Sequence, residues 1–449
     1  MAKQKVRDTA LTTLLKIEQD EAYSNLLINR AVEKNHFDSK DTAFFTRLVY
    51  GTVQRKNTLD FYLNSFLKKE PELWVRVLLR LAVYQMAFLD RVPDRAVLHE
   101  SVEIAKRRGH KGISGLVNGV LRAIQRKGFP DPANVKDPVE KLAVETSHPK
   151  WLLDHWLSQY DQDTVHQICE ANNTLPEVTV RTNKVKTTRD RLLNDLEGEG
   201  IEAEAGTLAP EAVKITKGVV QHTSCFKNGL LSIQDESSML AAHALDLQEG
   251  MKVLDGCAAP GGKTTHIAQL MNNTGCVTAL DLHKYKINLI EQQASRLGLT
   301  NIKASALDSR KAHESFQKGA FDRILVDAPC SGFGVIRRKP DIKWGKTAED
   351  IRMLATVQTE ILQALAHLLK PGGKLVYSTC TIESEENEKV VESFLKQNES
   401  FSWDTTLADR LPEKLERYMV SGEGQVQILP HQFGTDGFYI AVLRKEEVR

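Results

Sequence analysis

The sequence predicts an α/β domain with a mostly parallel sheet, preceded by an all-α bundle and a small α+β module. Three observations lead to this fold class. Apolar residues recur at intervals of three and four along residues 4–126, which is the period of amphipathic helices. Residues 177–235 combine short extended pieces with one helix. From residue 235 onward, strand and helix patterns alternate, which is typical of a parallel sheet covered by helices.

The composition indicates a globular protein with more than one core. The chain has 449 residues, of which 41% are apolar and 27% are charged, and this length exceeds what one ordinary core supports. No stretch approaches the eighteen or so uninterrupted apolar residues that a membrane span needs. The first thirty residues contain no hydrophobic signal core. We therefore expect a cytoplasmic protein without a membrane partner, and we expect a monomer.

The six cysteines are scattered along the chain, and none forms a C-x-x-C pair. Such cysteines are too sparse for a disulfide framework. We interpret Cys169, Cys225 and Cys276 as small buried apolar residues. We therefore expect reduced thiols and no metal site.

The net charge of +1 conceals an asymmetry along the chain. Residues 1–130 contain 23 Lys and Arg against 14 Asp and Glu, which gives +9, whereas the remainder carries −8. A basic region of this kind indicates a polyanionic partner, although any single cluster of cations is also typical of a solvated surface. Residues 1–130 are therefore expected to contact a polyanion.

Residues 1–130 are predicted to form a compact helical bundle. Residues 73–89 are apolar almost all round, so they are expected to form the central helix. The run Lys-Gly-Ile-Ser-Gly-Leu-Val-Asn-Gly-Val-Leu-Arg at residues 111–122, together with Arg91-Val-Pro93, resembles the NusB antitermination factor family. This resemblance implies an RNA-binding domain or a contact with a ribonucleoprotein.

A linker at residues 131–150 is predicted to follow the bundle, because prolines are dense there and break helices. Residues 151–235 are then expected to form a small α+β module. The triplet Arg181-Thr-Asn183 places a guanidinium at a strand end, where it suits contact with a phosphate or a cofactor. An ordinary exposed strand end is almost as good an interpretation. We predict that Arg181 contacts RNA.

The glycine loop Asp255-Gly-Cys-Ala-Ala-Pro-Gly-Gly-Lys263 joins a predicted strand to a predicted helix, which is how an α/β sheet receives a cofactor. A Walker loop would need glycine at position 257, where cysteine stands, and the three spaced glycines of a dinucleotide fingerprint are missing. A glycine loop without a phosphate signature, opened by an acid, suits a cofactor that carries a sulfonium and an amino acid. The loop therefore indicates S-adenosylmethionine.

Residues 236–449 contain four aspartates at or just after the ends of predicted strands: Asp255, Asp281, Asp308 and Asp327. Because ligands of open α/β sheets bind beyond the carboxyl ends of the strands, we expect these side chains at one edge. Asp281 is placed to accept hydrogen bonds from the ribose hydroxyls, and Asp308 would reach the adenine amino group. A single aspartate at a strand end is usually a turn residue. Four around a glycine loop favour a cofactor site.

Cys330 follows the fourth predicted strand and Cys380 ends the fifth, so both thiols are expected at the same edge. Methyl transfer to carbon 5 of a pyrimidine would use such thiols. Carbon 5 of cytosine is too weakly nucleophilic to attack a sulfonium methyl, but a thiolate that adds to carbon 6 turns it into an enamine carbon. Protonation or hydrogen bonding at ring nitrogen 3 by a nearby acid favours this addition. The reaction requires an aspartate, one nucleophilic cysteine and a second thiol that assists release.

These residues and the strings at 327–332, 337–344 and 378–380 resemble the RsmB (Sun or Fmu) branch of the bacterial NOL/NOP/Sun RNA cytosine-5 methyltransferases over essentially the whole chain. The resemblance implies a NusB-like bundle, a small RNA-binding-like module and a Rossmann-like class I methyltransferase domain. It also implies that Cys380 is the nucleophile, that Cys330 assists product release and that Asp327 activates the base. The residues that it implies for S-adenosylmethionine are Cys257, Ala258, Ala259, Pro260, Gly261, Gly262, Lys263, Asp281, Asp308 and Asp327.

Residues 337–346 hold five cations against one acid, with a tryptophan among them. Cationic side chains that hold phosphates, with an aromatic side chain for stacking, are used in single-stranded RNA recognition. The target base must be flipped or unpaired, because carbon 6 cannot be reached inside a stacked duplex. We predict RNA contacts from Arg337, Arg338, Lys343 and Trp344.

The sequence therefore predicts a methyltransferase that forms 5-methylcytosine in RNA through a covalent adduct between a cysteine and carbon 6. The family resemblance implies small-subunit ribosomal RNA as the substrate. A tRNA or another RNA is the alternative substrate. A DNA cytosine methyltransferase is a further alternative, which would use Cys330 as its nucleophile. The second cysteine, Cys380, and the basic residues 1–130 argue against this alternative. A catalytically silent RNA-binding protein of ribosome assembly is the alternative from another class. The intact Cys380, Asp327 and glycine loop argue against that alternative.

Overall fold

The chain divides into two compact units in a computed structural model that describes residues 2–20, 24–420 and 423–447. The helical unit comprises Met1–Thr174 and Ile336–Gly345, and the sheet unit comprises Leu175–Val335 and Lys346–Arg449. The helical unit is therefore assembled from two separate stretches of sequence. Within the described ranges, no helix is both long enough and apolar enough to cross a membrane.

The helical unit has one apolar core formed by the helices of residues 2–127, and further helices follow these in sequence. The bounds of the helices are α1 Ala2–Asp20, α2 Ser24–Asn35, α3 Ser39–Gln54, α4 Lys56–Asn64, α5 Leu73–Phe88, α6 Asp94–Arg108, α7 Lys111–Lys127, α8 Pro138–Thr146, α9 Lys150–Leu157 and α10 Gln162–Asn172. Helix α5 is central, as predicted, because residues 77–85 are all buried. Arg80 lies in this buried stretch, and its charge is balanced by Asp60 at 2.7 Å and Glu18 at 2.9 Å.

The segment predicted as a linker, residues 131–150, contains a short 3-10 helix and α8. The prolines that suggested a break stand in the first turns of these helices, where a missing N–H costs nothing. Asp137 caps α8, because its side chain accepts hydrogen bonds from the N–H groups of Val139 and Glu140 at 2.9 Å. The prolines therefore start helices in this segment.

The sheet unit begins with a small antiparallel sheet. Its elements are β1 Val178–Thr182, α11 Arg189–Gly198, β2 Glu202–Ala205, β3 Ala212–Lys217, α12 Ser224–Lys227 and β4 Leu231–Ile233. The strand order is β2-β3-β1-β4, and every pair is antiparallel. Apolar side chains from β1, β3 and α11 form its core. The predicted α+β module is therefore present.

A larger sheet follows, in which strands and helices alternate as predicted. The further elements are α13 Glu236–Ala244, β5 Lys252–Asp255, α14 Gly262–Leu270, β6 Cys276–Asp281, α15 Lys284–Leu297, β7 Ile302–Ala306, β8 Phe321–Asp327, α16 Ile342–Gly345 of the helical unit, α17 Ala348–Ala366, β9 Leu369–Thr379, α18 Glu388–Gln397, β10 Phe401–Trp403, β11 Gln425–Ile428 and β12 Phe438–Lys445. Strands β5 to β9 are parallel, and β12 pairs antiparallel with β9, β10 and β11.

The order of the large sheet, β10-β12-β9-β8-β5-β6-β7, reverses direction next to β5. From β5 the chain builds β6 and β7 on one side and then crosses to β8 on the other. Ligands of open α/β sheets bind in the crevice at such a switch point, beyond the carboxyl ends of the strands. The glycine loop follows β5, and the predicted catalytic aspartate ends β8.

The last part of the large sheet contains one long strand and two short ones. The stretch Lys370-Pro-Gly-Gly373 lies inside β9, and α17 already ends at Ala366. The acidic stretch 383–388 mostly precedes α18. Strands β10 and β11 were not predicted, because they are only three and four residues long.

Candidate active site

The glycine loop is held by backbone contacts where it leaves β5. The N–H of Ala258 donates to the carbonyl of Leu280 on β6 at 2.8 Å. Gly261 has a φ of +103°, and a side-chain carbon there would lie 3.2 Å from Ile290 Cα, so this position requires glycine. At Gly262, a side-chain carbon would meet no heavy atom within 4 Å in the described part of the chain. The loop therefore leaves open space beside the start of α14.

Asp255 ends β5 as a fully buried side chain. Its Oδ2 accepts a hydrogen bond from Thr264 Oγ1 at 2.7 Å, which ties the loop to α14. Its Oδ1 has no hydrogen-bond partner among the described residues. Burial raises the pKa of Asp255 to about 7, because a carboxylate loses hydration when it is enclosed.

Asp281 and Asp308 lie at the ends of β6 and β7, as predicted, but their surroundings differ. The oxygens of Asp281 accept hydrogen bonds from the N–H groups of Ala259 at 3.3 Å and His283 at 3.1 Å, so its carboxylate adjoins the glycine loop. Asp308 pairs with the guanidinium of Arg310 at 2.8 Å. The hydrogen bond from Arg310 lowers the pKa of Asp308. Asp281 is therefore the more direct neighbour of the loop.

Lys263 on α14 forms an ion pair with Asp327 at the end of β8, with 2.8 Å between Nζ and Oδ2. The other oxygen of Asp327 accepts a hydrogen bond from Ser378 Oγ at 2.9 Å. Burial alone would lower the pKa of Lys263, but the charges of Asp327 and of a Cys380 thiolate raise it overall. Lys263, Asp327 and Cys380 therefore interact electrostatically at one edge of the sheet.

The two predicted cysteines meet at this edge. The Sγ atoms of Cys330 and Cys380 are 3.3 Å apart. The hydrogen bond with Cys380 is the largest cause that raises the pKa of Cys330 well above its ordinary value, and burial adds to it. Cys330 is therefore a neutral thiol at neutral pH, and it can donate a hydrogen bond to the sulfur of Cys380.

The loops that carry the cysteines are fastened together by residues that sequence reasoning did not identify. Ser331 and Thr381, each next to a cysteine, share a hydrogen bond of 2.8 Å between their hydroxyls. Glu386 accepts from the N–H of Ser331 at 2.9 Å and from Gln358 Nε2 at 2.9 Å. In the structure this buried carboxylate supports the Cys330 loop.

Arg181 lies where RNA cannot reach it, which corrects the RNA contact predicted for this residue. Its side chain is completely buried. Its guanidinium donates to Gln269 Oε1 at 3.0 Å, to the carbonyl of Gly262 at 2.7 Å and to Thr265 Oγ1 at 3.0 Å, and it also bonds Gln234 Oε1. The strand end that looked exposed in sequence is covered by α14, and no local pattern indicates that.

The basic segment 337–346 also differs from its prediction. Lys343 is fully buried in the helical unit, and its Nζ donates to the carbonyl of Gln54 at 2.9 Å. Trp344 donates from Nε1 to the carbonyl of Val53 at 2.7 Å and packs against the helical core. Both side chains therefore attach this segment to α3. The complete burial of Lys343 corrects its assignment as an RNA contact. Trp344 is only partly buried, and its RNA contact stays a prediction.

Arg337 and Arg338, predicted to contact RNA from the same segment, differ in exposure. Arg337 is 7% exposed, and Arg338 is half-buried. The RNA contact of Arg338 stays a prediction, whereas the burial of Arg337 argues against direct contact with a phosphate.

Comparison with known families gives three matches along the chain. Residues 4–126 match the NusB family, residues 148–221 match the RsmF/B-like ferredoxin-like domain, and residues 242–444 match the family described as 16S rRNA methyltransferase RsmB/F. The order of these matches is that of the predicted bundle, α+β module and Rossmann-like methyltransferase domain. The predicted fold class is confirmed.

Individual relatives resemble the whole chain. The probable ribosomal RNA small subunit methyltransferase B of Bacillus subtilis is 52% identical over 448 residues, which cover 99% of this chain and 100% of the relative. The corresponding probable enzyme of Synechocystis is 34% identical and covers 98% of this chain and 99% of its own. The solved structure of PH0851 has a TM-score of 0.83 at 27% identity, over 98% of each chain.

Proposed function

This chain belongs to the RsmB/F family of 16S rRNA methyltransferases, and from this membership we propose that it transfers a methyl group from S-adenosylmethionine to carbon 5 of a cytosine in small-subunit ribosomal RNA. The observation that carries the proposal is the pair Cys330 and Cys380, 3.3 Å apart, beside the ion pair of Lys263 and Asp327. A thiol pair next to a proton-bearing ion pair is what attack on carbon 6 of a pyrimidine needs.

The residues at the switch point fit S-adenosylmethionine. Gly262 leaves open space at the start of α14, and Asp281 presents a carboxylate beside the loop. When bound, the cofactor supplies an electrophilic methyl group. Residues 257–263 would hold it together with Asp281, Asp308 and Asp327. Lys263 is shared between this set and the reacting groups, because its ammonium already holds Asp327.

Cys380 is the nucleophile in this proposal. Its thiolate forms a bond to carbon 6, and ring nitrogen 3 takes up a proton as the double bond shifts to make carbon 5 an enamine carbon. Carbon 5 then forms the bond to the methyl carbon, whose bond to the sulfonium sulfur breaks. Loss of the carbon 5 proton to a base restores the double bond between carbons 5 and 6 and expels the Cys380 thiolate, and ring nitrogen 3 gives its proton back.

Asp327 and Lys263 activate the base in this scheme. Their ion pair carries exchangeable protons between Nζ and a carboxylate oxygen 2.8 Å away, and such a proton can be held at ring nitrogen 3. The hydrogen bond from Ser378 fixes the other carboxylate oxygen at 2.9 Å. Because Ser378 and Cys380 lie two residues apart on the same chain segment, the aspartate and the nucleophile are positioned together.

Cys330 has the properties of a partner thiol. The hydrogen bond with Cys380 and burial raise the pKa of Cys330, which favours its neutral thiol form. A neutral thiol at 3.3 Å stabilises the Cys380 thiolate by hydrogen bonding, both before attack and when the sulfur leaves. This role supports the assignment of Cys330 to product release, and it argues against a DNA-type mechanism in which Cys330 attacks.

The helical unit is the proposed contact for RNA. A groove of about 240 Å³ between α6 and α7 is lined by three cations, Arg95, Lys106 and Arg122, with Glu103 as the one acid among the described lining residues. The excess of positive charge in residues 1–130 supports phosphate binding there. We place the protein in the cytoplasm, where ribosomal RNA is found, and treat it as a monomer.

The direct test is to locate the methyl group. The purified full chain is incubated with labelled S-adenosylmethionine and with transcripts of small-subunit ribosomal RNA, large-subunit ribosomal RNA or tRNA, and the digested nucleosides are separated by mass spectrometry. We expect 5-methylcytidine from the small-subunit transcript. Label on another atom of cytosine would refute the thiol mechanism, and label confined to tRNA would refute the proposed substrate.

A further inference from the structure

Arg181 connects the small antiparallel sheet to the start of α14. It lies on β1, and three of its acceptors, the Gly262 carbonyl, Thr265 Oγ1 and Gln269 Oε1, belong to α14. A completely buried guanidinium is costly unless its donors are satisfied. Here most of these donors form hydrogen bonds with the first two turns of α14, the helix that follows the glycine loop.

Thr265 extends this network into the loop itself. Its hydroxyl accepts from Arg181 and donates to the carbonyl of Gly261 at 2.7 Å. The carbonyls of Gly261 and Gly262 are therefore fixed by Arg181, directly at Gly262 and through Thr265 at Gly261. Lys263 lies between these anchored positions, and its Nζ reaches Asp327.

A cluster of Glu211, His243 and His266 adjoins Arg181. Glu211 Oε1 is 2.8 Å from His243 Nε2 and 2.7 Å from His266 Nε2, and such a set can bind zinc in other proteins. The pKa of His266 is lowered to about 3 by burial and then by the charge of Arg181. The positive charge of the Arg181 guanidinium therefore disfavours a second positive charge in this cluster, such as a protonated His266. Glu211 balances the charge of Arg181 instead.

We propose that Arg181 is a positioning residue, which acts through Thr265 to hold the glycine loop and Lys263 in the geometry that binds the cofactor. This inference rests on the proposed function, because it assumes that the loop binds S-adenosylmethionine. Through Arg181, the small module would fix the geometry of the methyltransferase site, although the module carries none of the reacting groups. The RNA contact predicted for Arg181 is replaced by this role.

The test uses Thr265, which does not touch the reacting groups and is 1% exposed. Thr265→Val keeps the shape and removes the hydroxyl relay, and Thr265→Ser is the matched control that keeps the hydroxyl. We expect Thr265→Val to raise the Kd for S-adenosylmethionine by about three- to tenfold, the value of one hydrogen bond. Thr265→Ser should stay within about twofold of the wild type. Gln269→Met, which removes another acceptor of Arg181, is the second variant if Thr265→Val does not fold.

Three measurements on the full chain separate the outcomes: Kd by calorimetry, kcat at saturating cofactor, and Tm. A lower Tm with unchanged Kd and kcat would show that the network only stabilises the fold, and would overturn the positioning role. A wild-type Kd that rises on chelation and is restored by Zn²⁺ would assign the cluster to a metal and overturn it as well. Cofactor binding without methylation of cytosine by the wild type would contradict the proposed function, while the comparison of Kd values still decides this inference.

Discussion

The sulfur atoms of Cys330 and Cys380 lie 3.3 Å apart, although fifty residues separate them in sequence. They meet because β8 and β9 are parallel neighbours whose carboxyl ends reach the same edge. The loops beyond these strands are joined by the hydroxyls of Ser331 and Thr381. The sheet register therefore determines the distance between the two thiols. Replacing each cysteine is expected to have a different effect on the reaction.

Replacing each cysteine should separate attack from release. We expect Cys380→Ala to abolish methylation and all covalent capture of RNA, because no thiolate then adds to carbon 6. Cys330→Ala should allow attack and stall release, which leaves a protein–RNA adduct. The adduct is measured on a denaturing gel with labelled RNA, and Cys276→Ala serves as the control thiol outside the site. The reverse pattern would exchange the two roles.

Asp327→Asn should lower kcat by about a hundredfold or more, since it removes the charge that holds Lys263 and the proton transfer at ring nitrogen 3. The matched control is Asp322→Asn on the same strand, whose carboxylate pairs with Lys370 away from the cysteines. Rates are measured by methyl incorporation into RNA at saturating substrate. Equal losses in both variants would indicate damage to β8 in place of a catalytic role.

Lys343 should make the stability of the protein depend on pH. Burial lowers the pKa of Lys343 to about 7, below the ordinary lysine value of about 10.4 in the unfolded chain. Between these values the unfolded state binds more protons, so the free energy of unfolding rises with pH, by at most about 1.4 kcal/mol per unit. Urea unfolding from pH 7 to 10 measures the slope. Lys343→Met should flatten it, and Lys339→Met, at an exposed lysine nearby, should leave it unchanged.

Binding of RNA by the full chain should weaken steeply as salt rises, because cations that neutralise phosphates release counterions. Arg122→Ala, which removes one cation from the groove between α6 and α7, should reduce the slope of log affinity against log salt by about one. Lys217→Ala removes an exposed lysine of the small sheet as the control. Fluorescence anisotropy over 50–200 mM salt gives both slopes. Identical slopes in the wild type and in Arg122→Ala would exclude the groove as an RNA site.

The positions of the residues proposed as catalytic were predictable, because sheet geometry fixes them. A residue such as Asp327 or Cys380 at the end of a parallel strand reaches the ligand edge whatever the rest of the chain does. The RNA contacts of Arg181 and Lys343 were predicted wrongly, because a cationic residue near a strand end or in a basic loop is normally exposed. Each is buried by a partner far away in sequence, such as α14 for Arg181 and α3 for Lys343. No periodicity or spacing near these residues encodes such partners.

The composition of the helical unit from two stretches affects how the protein is made. The ribosome adds Thr174 well before it adds Ile336–Gly345, the stretch that places Lys343 and Trp344 in the helical unit. At ordinary rates of synthesis, roughly 10–30 s of elongation separate these events. The small module and half of the large sheet are therefore synthesised before the helical unit can form its contacts with Lys343 and Trp344. An N-terminal fragment released early lacks those contacts, so the nascent chain couples the completion of the bundle to that of the catalytic half.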